Sequence, residues 1–147
     1  TKQEYEVLGW NKYENKEIGF EMYYPNDWKV SEGSKGRGDT SDDPSYMSIT
    51  FAPKTLSYDF TFALYVFKEP LKERILKLAD REWLPIEKLR INNADAVIIG
   101  RFGEENKHIY KDVIFGSDNW TVDFVGGPNN PSIYEQMFKS FRLLSKK

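Results

Sequence analysis

The chain reads as an α+β domain in which one antiparallel β-sheet is flanked by amphipathic α-helices. Three observations predict this. Several short segments alternate apolar with polar residues, two others repeat apolar residues at helical spacing, and the connections between the later strands are brief, polar and glycine-bearing. Together they give a sheet of about five to seven strands with helices packed on it.

The first strand lies over residues 20–24, where Phe20, Met22 and Tyr24 alternate with Glu21 and Tyr23 and Pro25 ends the run. Pro25-Asn26-Asp27 then makes a turn that returns Trp28 to the core. Residues 31–45 are rich in Gly, Ser and Asp and are expected to form a mobile loop, too short to link two cores. Beyond it, Met47, Ile49 and Phe51 share one strand face before Pro53. The segment from Phe60 to Phe67 is apolar on both faces, which places it centrally with cover on each side.

A helix is predicted over Leu71 to Trp83. Leu71, Ile75, Leu78 and Ala79 form its stripe, Pro70 suits its first position, Glu73 and Lys77 stand four apart, and Pro85 blocks continuation. Three strands follow as a meander: Ala94 to Phe102, Lys107 to Phe115, and Asn119 to Val125. Gly126-Gly127-Pro128 breaks the last of them. Ser132 with Glu135 then reads as a capping box opening a helix that presents Ile133, Met137 and Phe141 on one face.

Length and composition bound the function. A chain of 147 residues fits one domain spanning 1–147, with residues 1–17 as an N-terminal extension, and buries about 68–70% of its unfolded surface. Its 10 Phe, 9 Tyr and 4 Trp supply a large core, while the 30% of charged residues supply a soluble surface. With 21 basic against 23 acidic side chains, it lacks the cationic field that nucleic acid or anionic lipid requires. No apolar run approaches the roughly 20 residues that span a bilayer. The absence of cysteine excludes disulfides, thiolate catalysis and Cys-ligated zinc. The chain begins at Thr1 without Met, so a signal or lipid-attachment segment ahead of it is expected to have been removed.

Two stretches carry a family resemblance. Gly19-Phe20-Glu21-Met22-Tyr23-Tyr24-Pro25 followed by Trp28 is one; the tail of His108 to Phe115, Trp120 to Phe124, and Tyr134 through Phe141 is the other. In these and in the order of elements over residues 18–144 the chain resembles the PsbP-like family, whose fold is shared by extracytoplasmic lipoproteins and, more distantly, by a regulator of the Ran GTPase. The resemblance implies an α/β/α sandwich with a non-enzymatic accessory or binding role. It transfers no functional residue.

The residues that could carry chemistry each have a plainer reading. His108 is the only histidine, so any imidazole scheme must run through it, with Tyr110 and Asp112 on the same strand face; without a nucleophile motif it reads as an edge-strand histidine. Asp39, Asp42 and Asp43 beside Ser41 offer hard oxygen ligands for calcium but lack the EF-hand glycine and glutamate, so a solvated acidic loop is the default. Arg37-Gly38-Asp39 and the sequon Asn119-Trp120-Thr121 are short enough to arise by chance. Gly126-Gly127-Pro128 lacks any phosphate-binding fingerprint. The pairs Asp42-Asp43 and Glu104-Glu105 could serve a glycosidase only from an apolar pocket, whereas both fall in polar loops. Of Tyr23, Tyr46, Tyr65, Tyr110 and Tyr134 the alternation puts several on strand faces opposite the main core; most are expected to be covered by helices, and an exposed cluster of Tyr23, Tyr46, Tyr65 and Tyr110 is the candidate binding surface.

The expectation is therefore a non-catalytic, extracytoplasmic accessory or binding domain with no cofactor. Its partner would be a protein or small ligand, not nucleic acid, and it would touch a membrane only through the removed anchor. An intracellular protein-docking regulator is the alternative, and a small hydrolase using loop carboxylates ranks third.

Overall fold

The computed structural model describes residues 2–33, 45–55, 61–102, 109–117 and 119–144. Its order is α1 (Lys2–Val7), β1 (Asn11–Asn15), β2 (Phe20–Tyr24), β3 (Trp28–Glu32), β4 (Met47–Pro53), β5 (Phe62–Phe67), α2 (Leu71–Ala79), β6 (Leu84–Ile91), β7 (Ala94–Phe102), β8 (Ile109–Gly116), β9 (Thr121–Val125), α3 (Pro131–Lys139) and β10 (Arg142–Leu143). The strands form a seven-stranded sheet in the order β3-β4-β5-β9-β8-β7-β6 and a three-stranded sheet in the order β1-β2-β10. Every pairing is antiparallel. The predicted α+β class holds; the strands divide between two sheets instead of one.

Register decides what each face of the large sheet carries. Leu64 lies opposite Phe124 and Val66 opposite Val122, while Phe124 and Val122 lie opposite Val113 and Phe115. These side chains meet Phe20, Met22 and Tyr24 of the small sheet and Tyr134, Met137 and Phe141 at the C-terminal helix, forming the main core. The other face carries Val97, Ile99 and Ile114, against which Leu71, Ile75 and Leu78 of α2 pack. The large sheet is thus covered by α2 on one face and by the small sheet with α3 on the other. β5 sits inside the sheet as expected, fully buried on the core face, while on the other face Phe67 is buried and Ala63 and Tyr65 are half-buried.

Several local expectations are corrected. The first 17 residues are not an extension. Tyr13 and Asn15 turn inward from β1, which pairs with β2 along its whole length, and Tyr5 of α1 stacks on Tyr23 with centroids 5.2 Å apart. The helix after Pro70 ends at Ala79, because Trp83 N–H bonds back to Leu78 O and Glu82 adopts φ 68°, which turns the chain into β6. Ala79 is exposed, and its place on the buried face is taken by Arg74. Lys77 pairs with Glu69, at 2.5 Å. Pro131 fits the first helical position of α3, so Asn130 is its cap, accepting from Ile133 N–H at 3.3 Å, and Glu135 instead pairs with Lys139 at 2.6 Å. Among the described residues no helix is long and apolar enough to cross a membrane.

Candidate functional site

At one end of the sandwich the two sheets part around a cleft of about 920 Å³. Three turns build it. The first is the β1–β2 turn, fixed by Asn15, whose Oδ1 accepts from Ile18 N–H at 3.0 Å and whose backbone oxygen accepts from Gly19 N–H at 2.8 Å; Gly19 takes φ 96°, open to glycine and costly to other residues. It lends Glu14, Lys16, Glu17 and Ile18 to the wall.

The second is the β6–β7 turn, which gives Arg90, Asn93 and Asp95. Arg90 Nη1 donates to Asp95 Oδ1 at 2.8 Å. Asn92, at φ 53°, donates through Nδ2 to Phe141 O at 2.7 Å, and Asn93 both donates to Leu143 O and accepts from Leu143 N–H at 2.8 Å. Two asparagines thereby clamp β10 to this hairpin. The third is the β8–β9 connection, where Ser117 N–H donates to Trp120 O at 2.8 Å and presents Asn119 and Trp120.

Trp120 is the hub of this end. Its ring meets Tyr46 edge-on with centroids 5.2 Å apart, and Lys68 Nζ stands 4.0 Å from the Tyr46 centroid and 5.6 Å from that of Trp120. Tyr46 donates to Glu17 Oε2 at 2.5 Å, tying the small sheet's turn to the large sheet. Beneath Trp120 a void of about 10 Å³ lies among Ile18, Phe20, Phe115, Phe141 and Leu143. That is at the lower limit of the size that holds a water, and its walls are mainly apolar. The cleft therefore joins an aromatic floor to walls of interleaved acids and bases. It can hydrogen-bond a ligand of mixed polarity, and it presents no field of a single sign.

The phenols titrate away from this cleft. Tyr134 is held well above the ordinary tyrosine range, chiefly by burial and secondarily by the Asp112 carboxylate; its hydroxyl donates to Phe124 O at 2.5 Å and accepts from Val113 N–H at 3.0 Å. Tyr13 is raised by burial and by its bond to Glu32, and Tyr23 by burial and then Glu21.

The four candidate tyrosines do not converge. Tyr46 does not line the cleft but touches two residues that do, Trp120 and Glu17. Tyr23 is buried on the outer face of the small sheet under α1, and Tyr65 lies half-buried on the α2 side, opposite Asp123. Tyr110 pairs through its backbone with Arg101, and its side chain is outside the described residues. Asp39, Asp42, Asp43, Glu104, Glu105, His108 and the Arg37-Gly38-Asp39 tripeptide also fall outside them. Among the described residues no group of three His, Cys, Asp or Glu could hold a metal ion. Gly126 serves a turn: at φ 109° it passes so close to β5 that a Cβ would stand 2.8 Å from Thr61 O. Asn119 is exposed, whereas Thr121 is buried with its hydroxyl on Glu69 O. Sequence reasoning placed Trp120 only as a strand residue. The available signal was a tryptophan directly after a polar turn, at the mouth of a strand.

No model of a known protein family matches the sequence, and neither does any curated protein. Solved structures do. The solution structure of cyanobacterial PsbP (CyanoP) from Synechocystis sp. PCC 6803 superposes with a TM-score of 0.57 at 12% identity, over 91% of this chain and 92% of that one. A crystal structure from Bacteroides thetaiotaomicron VPI-5482 gives a TM-score of 0.55 at 17% identity over 92% of this chain, which spans 48% of that longer chain. Likeness at such identities concerns architecture. The protein has a PsbP-like α+β fold.

Proposed function

We propose that this chain is a non-enzymatic binding domain that works outside the cytoplasm as an accessory module, tethered by a lipid-bearing segment ahead of residue 1, and that the cleft at the end of the sandwich is where it binds. The observation that carries the reading is the cleft itself. It has the volume of a small-molecule site, an aromatic floor at Trp120, and polar walls held in place by the asparagine-fixed turns.

Chemical-shift mapping of the 15N-labelled protein against a library of small polar and aromatic fragments tests the site. Hits are expected to move the amides of residues 16–19, 93, 117 and 120 together. Hits that map elsewhere, or none at all, would overturn the assignment. Fractionation of cells carrying the full-length gene tests the compartment separately: the reading expects the protein in the envelope, and recovery in the cytosol would favour the docking regulator instead.

A further inference from the structure

The edge strand β6 presents a second surface, which meets the cleft at Arg90. It ends the seven-stranded sheet, and none of the described strands pairs with its outer side. Proteins blunt such edges with proline, charge or bulges. Here proline and the bulge act on the first half of the strand, where Pro85 has no N–H to donate and the register shifts between Pro85 and Glu87, while the second half carries only charge, at Glu87, Lys88 and Arg90. From Glu87 to Ile91 the pairing with β7 is regular, so five consecutive residues keep an intact ladder edge. Beside it, Leu84 and Ile86 are each 51% exposed and Leu76 of the adjacent α2 is 61% exposed, among the few large aliphatics left in water.

Register assigns the faces. Lys88 and Arg90 lie opposite Val97 and Asp95, on the α2 side; Glu87, Leu89 and Ile91 lie opposite Ile98, Ala96 and Ala94, on the side of the main core. A strand added antiparallel to this edge sets each residue on the same face as the one it opposes. It is favoured when an acid opposes Lys88 and apolar residues oppose Leu89 and Ile91, Arg90 already being paired with Asp95 at 2.8 Å. A second copy of β6 does not meet that need. In each face-matched antiparallel register over Glu87 to Arg90, like charges oppose: Glu87 with Glu87, Lys88 with Lys88, Lys88 with Arg90, or Arg90 with Arg90.

We propose that β6 is a strand-addition site for an extended segment of a partner protein in which acidic and apolar residues alternate. Main-chain hydrogen bonds along Glu87–Ile91 provide the affinity, and the Lys88 side chain selects the opposing acid, Arg90 being held by Asp95 and Asn93 O.

The test uses the 15N-labelled chain with two capped seven-residue peptides, one alternating valine with glutamate and one alternating valine with lysine. The glutamate peptide is expected to shift the amides of residues 87–91, to slow their hydrogen exchange, and to bind at least tenfold more tightly than the lysine peptide. Lys88→Glu is expected to narrow or reverse that preference. Of the two glutamate peptides N-methylated at alternate residues, in either phase, one is expected to lose binding. Absence of binding, equal binding of both peptides, shifts confined to other residues, or full binding by both N-methylated forms would overturn the proposal. So would self-association in sedimentation that protects the amides of residues 87–91.

Discussion

On one face of the seven-stranded sheet Phe115 and Phe141 stack with centroids 3.8 Å apart, Phe141 stacks in turn on Phe20 at 5.1 Å, and Tyr134 lies flat on Phe124 at 4.4 Å. On the other face Arg74 of α2 reaches Asp123 at 3.3 Å and Glu69 at 3.4 Å, with its guanidinium carbon 3.5 Å from the Phe67 ring centroid. Both faces are dry. The first gains stability from each apolar area it removes from water, whereas the second spends much of its Coulombic attraction on desolvating three ionic groups. The aromatic side is therefore expected to provide the stability, and the ionic side to fix where α2 sits.

Substitution can break this contrast. The largest effect is expected at Phe141, fully buried between two rings: Phe141→Ala should lose about 3–5 kcal/mol in urea unfolding, and a loss within experimental error would refute the aromatic account. Arg74→Ala should cost about 3 kcal/mol, because it leaves Asp123 and Glu69 buried beside an apolar gap. The sharper variant replaces the network as a unit, Arg74→Met with Glu69→Leu and Asp123→Leu. This triple is expected to recover most of that loss; if it unfolds as easily as Arg74→Ala, the ionic face is a source of stability after all.

Tyr134→Phe is a smaller perturbation, expected to cost about 1–2 kcal/mol by leaving Val113 N–H and Phe124 O without their partner. It also carries a pH signature. Burial raises the Tyr134 phenol, so the folded chain holds that proton more tightly than the unfolded one. The resulting stability is complete below the ordinary tyrosine value of about 10 and declines as pH rises past it. Unfolding measured across that range should show a shallower alkaline decline in Tyr134→Phe. At the small end, Asn130→Ala should cost about 1 kcal/mol through the lost α3 cap, and Lys139→Ala about 0.3 kcal/mol, since its pair with Glu135 is exposed.

The same contrast explains what could be read from the sequence. β2 and β4 are visible because apolar side chains of the aromatic face recur with period 2, in Phe20-Met22-Tyr24 and Met47-Ile49-Phe51, β5 because it is apolar on both faces, and β7, β8 and β9 because short polar connections separate them. β6 is hidden because an edge strand with only Ile91 buried has little alternation to show. Arg74, Glu69 and Asp123 look like surface charges in one dimension; only the pairing of β5 with β9 and the seating of α2 bring them together. The cleft was illegible for a related reason. Its three turns are separated by about seventy residues of chain between the first and second, and Asn15, Asn92 and Asn93 read as ordinary turn residues until their partners are seen.

The claim that binding resides in the cleft is tested most directly at its floor. Affinity for a fragment that shifts the cleft amides should be measured by titration in the parent chain and in Trp120→Ala, with far-UV circular dichroism confirming that both sheets persist. A loss of tenfold or more in the variant is predicted, whereas unchanged affinity in a folded Trp120→Ala protein would contradict it.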